Sequence, residues 1–160
     1  MIILKRATVF DFETYKYFFE TEKFNWLYYD NEEESLENIN LNKFDDSFLK
    51  EVESYLIVDL ESYKLRLSNS YIFIILEKKQ PVGIIELSGK RGKIYINEWS
   101  MLPEVSKKLC FKKILHLRSP HMNSLTAKAT NKKAEEILLS LGFMKDKIRN
   151  FYRFQKIKEA

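Results

Sequence analysis

Residues 71–87, YIFIILEKKQPVGIIEL, contain two apolar runs separated by a short polar segment at 77–81. Apolar, β-branched runs of this length are typical of buried strands, and a short polar connection between them predicts a β-hairpin. A second turn at 88–92 leads into KIYINEWSML, residues 93–102, which we interpret as a third strand. Three consecutive strands joined by short turns predict an antiparallel arrangement, and the rest of the chain must pack around it.

The segment before these strands has mostly helical periodicity. Residues 2–5 are interpreted as a short apolar strand, and Asp11 is expected to cap a helix over residues 11–22, which places four aromatic rings on one face (Phe12, Tyr15, Phe18 and Phe19). A second helix is predicted over residues 45–69, because apolar residues recur every four positions along it (Phe48, Val52, Leu56 and Leu60).

The chain after residue 102 alternates helices with strands. Pro103 favours a helix over residues 104–117, and residues 124–129 are interpreted as a strand. NKKAEEILLSLGF, residues 131–143, predicts a helix capped by Asn131 and ended by Gly142, with an apolar stripe at helical spacing (Ala134, Ile137, Leu138 and Leu141). Two short strands follow, at 143–146 and 150–157.

This order of elements predicts an α/β (α+β) fold with a mixed, mostly antiparallel sheet of six or seven strands and helices on both faces. A length of 160 residues without an internal repeat or a Gly/Ser linker predicts one domain, 1–160.

The longest apolar run, 71–76, is too short to cross a membrane, and MIILKRAT does not resemble a signal peptide. One cysteine excludes an internal disulfide and is typical of a cytoplasmic protein. His116 and His121 flank Pro120, so we expect no metal site.

Charge is distributed unevenly along the chain. Residues 1–62 contain 15 acidic and 6 basic residues, whereas residues 63–160 contain 8 acidic and 21 basic residues. A basic half beside an acidic half is compatible with a polyanion site facing a cation site, and equally with a mixed charged surface. The lysines are scattered and form no nucleic-acid-binding motif, so a nucleic-acid partner is not expected.

The pattern resembles the GNAT superfamily of acyl-CoA-dependent N-acetyltransferases over nearly the whole chain. ILKRATVFD is similar to the family's first strand and capped helix, and QPVGIIELS to its paired strands with a Gly after the turn. Asn131-x-x-Ala134 followed by Leu141-Gly142-Phe143 is similar to the family's Asn-to-Gly-Phe helix, the most specific of these matches.

The resemblance implies that acetyl-CoA lies between strand 94–102 and strand 125–129, with its pyrophosphate at the N-terminus of helix 104–117. A helix N-terminus offers unpaired N–H groups and a partial positive charge, so it suits phosphates. The implied cofactor-binding residues are Met101, Leu102, Ser106, Lys107, Lys108, Leu109, Cys110, Phe111 and Asn131. Helix capping alone would also explain Asn131.

Two positions depart from the family's pattern. Ser106-Lys107-Lys108-Leu109-Cys110-Phe111 lacks the usual glycines, which permit close approach of a phosphate. The lysines could supply charge instead, or form a solvated face, and Ser106 could cap a helix that starts late. Leu138 stands where many family members have a proton-donating Tyr, so Leu138 is expected in the core and Tyr152 becomes a candidate acid.

Transfer of an acyl group from a thioester to an amine needs a base but no covalent nucleophile. Glu98 is the preferred candidate base, acting directly or through water, and Glu86 is a second acidic candidate. Alternation along the strand places Glu98 and Trp99 on opposite faces. Cys110 is expected to be structural.

The resemblance also implies that residues 1–70 determine acceptor choice and that residues 71–160 bind the cofactor. Aromatic and acidic side chains suited to a cationic amine cluster in the first part, although they would equally suit a packed loop (Phe24, Trp26, Tyr28, Tyr29 and Glu32 to Glu34). Residues 23–44 have no clear period, with a short helix at 32–39 as one interpretation. The resemblance therefore implies an N-acetyltransferase that moves an acetyl group from acetyl-CoA to a primary amine of a small molecule or protein, and a homodimer is one expectation. The alternative is a catalytically inactive module with the same fold.

Overall fold

The computed structural model describes residues 1–25, 57–90, 93–118, 124–129, 132–145 and 151–155. The described strands form one seven-stranded sheet in the order β1-β2-β3-β4-β5-β7-β6. Every neighbouring pair is antiparallel except β4 and β5, which are parallel. This arrangement confirms the predicted mixed, mostly antiparallel sheet. The strands are β1 (Ile2–Arg6), β2 (Tyr71–Glu77), β3 (Gln80–Lys90), β4 (Lys93–Met101), β5 (Ser124–Lys128), β6 (Met144–Lys145) and β7 (Phe151–Gln155).

Helices cover both faces of the sheet, as predicted. Those in the described residues are α1 (Phe12–Asn25), α2 (Leu60–Asn69), α3 (Lys107–Arg118) and α4 (Lys132–Ser140). The face covered by α1 and α2 buries Tyr15, Phe18, Phe19 and Tyr63 against Ile72, Ile74 and Ile84. The opposite face buries Cys110, Phe111, Ile114 and Leu138 against Phe73, Ile75, Ile85 and Leu87. Because β2 and β3 are buried on both faces, their sequences are continuously apolar rather than alternating.

The start of α1 differs from the prediction. Thr8, rather than Asp11, is the N-cap of a short 3₁₀ turn, Val9–Asp11, that leads directly into α1. The Asp11 carboxylate accepts the Thr8 backbone N–H at 2.8 Å, which completes a capping box. The prediction that the aromatic rings of α1 share one face is confirmed, since Tyr15, Phe18 and Phe19 are all buried.

The continuous helix predicted over residues 45–69 is also wrong. Residues 57–59 are not helical, and α2 begins at Leu60 with Asp59 as its cap. The Asp59 side chain accepts the Ser62 N–H at 2.7 Å, which satisfies one of the donors that the first turn leaves unpaired. Residues 45–56, and the short helix expected at 32–39, lie outside the described residues.

The first hairpin turn is tighter than expected. It consists of Lys78 and Lys79 alone, both at positive φ (53° and 65°). Part of the polar segment 77–81, which was predicted to form the turn, therefore belongs to the two strands. Two positive φ angles match the right-handed twist of the flanking strands. Pro81, expected in the turn, lies in β3 opposite Leu76, next to an irregularity in the register.

Gly142 ends the last helix as predicted. It has φ of 97°, its N–H donates to Leu139 O, and the Phe143 N–H donates to Leu138 O. This pair of bonds is a Schellman motif, and Leu138 and Phe143 are both buried beside it. In the part of the chain that the structure describes, no helix is long and apolar enough to cross a membrane.

Candidate functional site

The sheet opens between its two parallel strands. β4 and β5 are paired only from Lys93↔Ser124 to Ile96↔Ala127. Beyond Ile96, the described part of β4 pairs with β3 alone. The remaining edge of β4 therefore presents backbone groups toward a gap at the carboxyl ends of the two strands. This is the position that the sequence resemblance implies for the pantetheine arm.

A β-bulge marks the point where the strands separate. Leu87 pairs with Ile96 and Glu86 pairs with Glu98, so Asn97 is an extra residue on β4. A bulge bends its strand and increases the local twist, which carries the end of β4 away from β5. The bulge also determines which face Glu98 occupies, because each inserted residue shifts the alternation of side chains by one.

Helix α3 begins beside the end of β4. The Ser106 hydroxyl accepts the Leu109 N–H at 3.3 Å, so Ser106 caps a helix that starts at Lys107, three residues later than the predicted range 104–117. Lys107 turns back, and its Nζ lies 3.3 Å from Leu102 O and 3.4 Å from Pro103 O. The first turn of α3 thus combines the positive end of a helix with two lysines.

The residues predicted to bind the cofactor divide into two groups. Ser106, Lys108 and Leu109 are exposed at the helix terminus, and Met101, Leu102 and Lys107 are partly buried. Cys110 and Phe111 instead face the core. Burial raises the pKa of the Cys110 thiol to about 11, which keeps it protonated at neutral pH. Asn131 lies outside the described residues.

Three aromatic rings connect the elements around the gap. The Phe111 ring meets Trp99 of β4 edge-on, with 5.7 Å between centroids, and meets Phe143 at the same distance. Trp99 therefore faces α3, on the opposite side of the sheet from α1. The prediction that Glu98 and Trp99 point to opposite faces agrees with these contacts, because Glu98 contacts α1.

Glu98 forms an ion pair with Lys23, near the C-terminal end of α1. Lys23 Nζ lies 2.8 Å from Glu98 Oε2, and both side chains are partly exposed, at 27% and 19%. The Lys23 ammonium also lies 5.2 Å from the centre of the Phe19 ring. The carboxylate is thus reachable from solvent on the α1 face, one residue beyond the bulge.

Glu86, the second acidic candidate, is enclosed in a buried polar network. Its carboxylate accepts hydrogen bonds from Tyr15 Oη at 2.7 Å, Arg66 Nη1 at 3.1 Å and Ser70 Oγ at 3.0 Å. Burial, and then the neighbouring Glu86 carboxylate, raise the pKa of Tyr15 far above its usual range, so this hydroxyl remains a donor. A buried carboxylate with these partners is fully satisfied, which favours a structural role.

Tyr152, the candidate acid, lies on β7 at the level of the last residue pair between β4 and β5. It pairs with Ala127, which in turn pairs with Ile96, and all three side chains belong to the core on the α3 and α4 face. The Tyr152 hydroxyl donates to Glu135 Oε2 of α4 at 2.5 Å. Burial, together with this bond to Glu135, raises the pKa of Tyr152 to about 12. Leu138, on the same helix, is fully buried, as predicted.

A cavity of about 490 Å³ opens beside the Glu86 network. It lies between α2 and the β3–β4 pair on the α1 and α2 face, and most of its side chains are polar (Ser62, Leu65, Arg66, Asn69, Ser70, Glu86, Ser88 and Asn97). Sequence reasoning missed this cavity and did not single out Arg66 or Lys23. The sequence did contain a signal for Arg66. It follows Tyr63 by three residues, and residues three apart lie on the same side of a helix, so Arg66 is placed near the packed face.

The aromatic and acidic side chains assigned to acceptor choice lie outside the described part of the structure (Phe24, Trp26, Tyr28, Tyr29 and residues 32–34). Among the described residues, no cluster of three or more His, Cys, Asp or Glu side chains could hold a metal ion.

The sequence matches no protein-family model, and no curated protein is similar to it in sequence. Solved structures do match in fold. The PaiA N-acetyltransferase from Thermoplasma acidophilum, in complex with coenzyme A, has a TM-score of 0.67 at 12% identity, covering 98% of this chain and 99% of its own. FdhC, a nucleotide-linked sugar GNAT, gives 0.58 at 18% identity over 96% of this chain and 86% of its own.

A third similar structure is the N-acetyltransferase PseH from Campylobacter jejuni in complex with acetyl coenzyme A. It has a TM-score of 0.52 at 16% identity and covers 98% of this chain and all of its own. Identities this low establish the architecture and not the chemistry. The chain therefore has the fold of the GNAT N-acetyltransferases.

Proposed function

We propose that this protein is an N-acetyltransferase that moves an acetyl group from acetyl-CoA to a primary amine of a small molecule or protein. The observation that carries the proposal is the gap between β4 and β5, which ends at Ile96↔Ala127 and lies beside the N-terminus of α3. Among the described residues, no strand pairs with this edge of β4 beyond Ile96, so its N–H and C=O groups are proposed to bind the amides of a pantetheine arm.

The first turn of α3 would hold the pyrophosphate. The chain lacks glycines there, so a phosphate cannot approach the backbone as closely as a glycine-rich turn allows. The Ser106 cap keeps the helix terminus regular, and the exposed Lys108 supplies a charge beside it. Met101 and Leu102, at the end of β4, would line the same gap.

Glu98 is proposed as the base, directly or through one water. It follows the bulge that opens the sheet, and its carboxylate is on the face where α1 and α2 leave a cavity. An amine that attacks the thioester carbonyl must lose a proton, and an accessible carboxylate next to the reacting carbon can accept it. The ion pair with Lys23 must first give way, or be replaced by the ammonium of the acceptor.

Tyr152 is proposed as the acid that protonates the departing thiolate. It lies on the face opposite Glu98, in the row where the strands separate, and its hydroxyl contacts α4, the helix whose Leu138 replaces the usual Tyr. A raised pKa keeps the hydroxyl protonated at neutral pH, so that a proton is available. Base and acid on opposite faces would let the amine enter from one side and the thiol leave on the other.

The polar cavity on the α2 side is proposed as part of the acceptor site. It reaches Asn97, the bulge residue next to Glu98. Its hydroxyl and amide groups suit an acceptor with several hydrogen-bonding groups rather than an apolar one. Five of its lining residues come from residues 1–70, the part expected to determine acceptor choice, and three come from residues 71–160.

Thermal melting with acetyl-CoA tests the cofactor site. A ligand that binds only the folded state raises the melting temperature, and a tenfold rise in the ratio of ligand to Kd adds about 1.4 kcal/mol once the site is saturated. Lys108→Glu should reduce the shift, whereas Lys64→Glu, an exposed lysine on α2, should not. Absence of any shift at millimolar acetyl-CoA would contradict the proposal.

A panel of primary amines tests the reaction, with release of free CoA thiol as the measurement. Glu98→Gln should reduce thiol release at least about a hundredfold, since general-base catalysis contributes roughly 10²–10⁴-fold. Glu61→Gln, at an exposed carboxylate on α2, is the matched control and should retain full activity.

The second candidate function is a catalytically inactive binding or regulatory module. The Lys23–Glu98 ion pair favours it, because it neutralises the proposed base, as does the absence of glycines at the α3 terminus. A melting shift with acetyl-CoA without thiol release from any amine would support this module. Thiol release that depends on Glu98 would exclude it.

A further inference from the structure

We propose that Lys23 is itself an acceptor, and that the protein acetylates this lysine at its own site. This inference rests on the proposed function. Lys23 Nζ lies 2.8 Å from Glu98 Oε2, a separation within the range required between an acceptor nitrogen and a general base. A primary amine of the chain thus already occupies the position that a free acceptor would take beside this carboxylate.

The location of this ion pair relative to the gap supports the inference. Glu98 is the second residue of β4 beyond the last pair with β5, and it directly follows the bulge. A thioester held along the unpaired edge of β4 would therefore lie near the Glu98 backbone. The Phe19 ring, 5.2 Å from Lys23 Nζ, helps to keep the long side chain directed at the sheet rather than toward solvent.

Lys16 provides an internal comparison on the same helix. Its Nζ lies 2.6 Å from Glu20 Oε2, and its side chain is about as exposed as that of Lys23. Glu20 belongs to α1, however, and not to the strand that borders the gap. The two lysines are therefore matched in carboxylate contact and exposure and differ in their distance from the proposed thioester.

The reaction balances with acetyl-CoA as the only co-reactant. The Lys23 ammonium gives one proton to Glu98, and the lone pair of the resulting amine forms a C–N bond with the thioester carbonyl carbon. The C–S bond then breaks, the thiolate leaves with the electron pair, and Tyr152 is the proposed donor of the proton that it takes up. The nitrogen loses its second proton, which restores the Tyr152 hydroxyl through solvent, and Glu98 releases its own proton to solvent. The products are N-acetyl-lysine, free CoA and one proton released to solvent.

Acetylation would change the site as well as the residue. An acetylated lysine is neutral and can no longer form an ion pair, so the Glu98 carboxylate would be released for an external amine. We therefore expect thiol release with a free amine to show a lag on first exposure to acetyl-CoA, and no lag in protein that has been acetylated beforehand.

Mass spectrometry of the intact protein and of its peptides tests the inference. The 160-residue chain incubated with acetyl-CoA at neutral pH should gain one acetyl group at Lys23 faster than at any other lysine. Lys23→Arg should abolish this product and Lys16→Arg should leave it unchanged. Glu98→Gln should slow it at least about a hundredfold, because the base is lost while the lysine remains. The rate constant should not depend on protein concentration, as expected of a step within one chain.

The outcomes separate this inference from the proposed function. If amines release thiol in a Glu98-dependent way while Lys23 stays unmodified, the inference is wrong and the function stands. Modification of Lys23 at the same rate in Glu98→Gln, or no faster than at Lys16, would indicate chemical acetylation and would also overturn it. Acetylation of Lys23 without turnover of any free amine would support the inference and restrict the function to self-modification.

Discussion

Glu86 and Glu98 lie directly opposite each other on β3 and β4, and each carboxylate is bound by a basic side chain from a different helix on the same face of the sheet. Arg66 of α2 holds Glu86, whose side chain is only 4% exposed, whereas Lys23 of α1 holds Glu98, which is 19% exposed. Glu86 thus has partners fixed by the fold, while the contact of Glu98 with Lys23 is one that a ligand can displace.

The first prediction concerns the buried pair. Arg66→Met should lower the free energy of unfolding by about 3 kcal/mol, because removal of one partner leaves the buried Glu86 carboxylate without its cation. Adding Glu86→Gln should recover part of this loss, which chemical denaturation of the two single variants and the double variant would measure. Lys64→Met, which breaks only the exposed 3.9 Å pair with Glu61, should change stability by less than about 0.5 kcal/mol. If the stability losses of the two single variants simply add in the double variant, the interaction between Arg66 and Glu86 does not stabilise the fold.

The second prediction concerns pH. Burial alone would raise the pKa of Asp11, but hydrogen bonds from the Thr8 N–H and from Lys5 outweigh burial and lower it from its usual 3.8. The stabilisation from the carboxylate is therefore present above about pH 4 and lost as pH falls through the lower, folded-state pKa. Asp11→Asn should cost about 1 kcal/mol at pH 7, and the difference from the wild type should shrink toward pH 2 in denaturation curves. A difference that stays constant over this range would show that the charge of Asp11 is not responsible.

The third prediction concerns the strand next to the gap. A Cβ atom at Gly83 would lie 2.6 Å from the Ser100 carbonyl oxygen and 2.9 Å from Met101 Cγ. Because the closest of these atoms belongs to backbone, Gly83→Ala should shift the end of β4 and lower the free energy of unfolding by about 1–3 kcal/mol. It should also weaken acetyl-CoA binding in titration calorimetry, since this end of β4 borders the gap. An unchanged melting temperature together with unchanged affinity would contradict the close packing of the two strands.

The fourth prediction concerns the candidate acid. Tyr152→Phe should slow thiol release at least about tenfold with little change in acetyl-CoA affinity, because the hydroxyl is proposed to act on the leaving group and not in binding. The lost bond to Glu135 should also lower stability by about 1 kcal/mol. Tyr95→Phe, at an exposed ring on β4, is the matched control and should alter neither quantity. A loss of stability without a kinetic effect would assign Tyr152 a purely structural role.

Elements defined by local patterns could be predicted from the sequence. The apolar runs of β2 and β3, the aromatic face of α1 and the end of α4 at Gly142 all depend on residues close together in the chain. The prediction of one helix over 45–69 failed because the four-residue spacing continues to Leu60 without a glycine or proline, whereas residues 57–59 are not helical and Asp59 caps a helix that begins at Leu60. A hydrogen bond from a capping side chain to the backbone competes with continuation of the helix, and the spacing of apolar residues carries no information about such a bond.

The site was predicted only in part, because its main contacts join distant segments. Glu98 was identified from its position on a strand before a helix, but its partner Lys23 is 75 residues away. The link between Arg66 and Glu86 likewise depends on where α2 packs on the sheet. The bulge at Asn97, which places Glu98 on the α1 face, involves no glycine that would have indicated it.

The Phe111 ring touches both Trp99 and Phe143, so β4, α3 and the end of α4 meet at one shared side chain. Neither helix can move away from the sheet without disturbing the packing of the other. We therefore expect the wall of the β4–β5 opening that faces α3 to be held in place by contacts from all three elements. If the proposed acyl donor binds there, extra space for a bulkier acyl group would have to come from the α1 face.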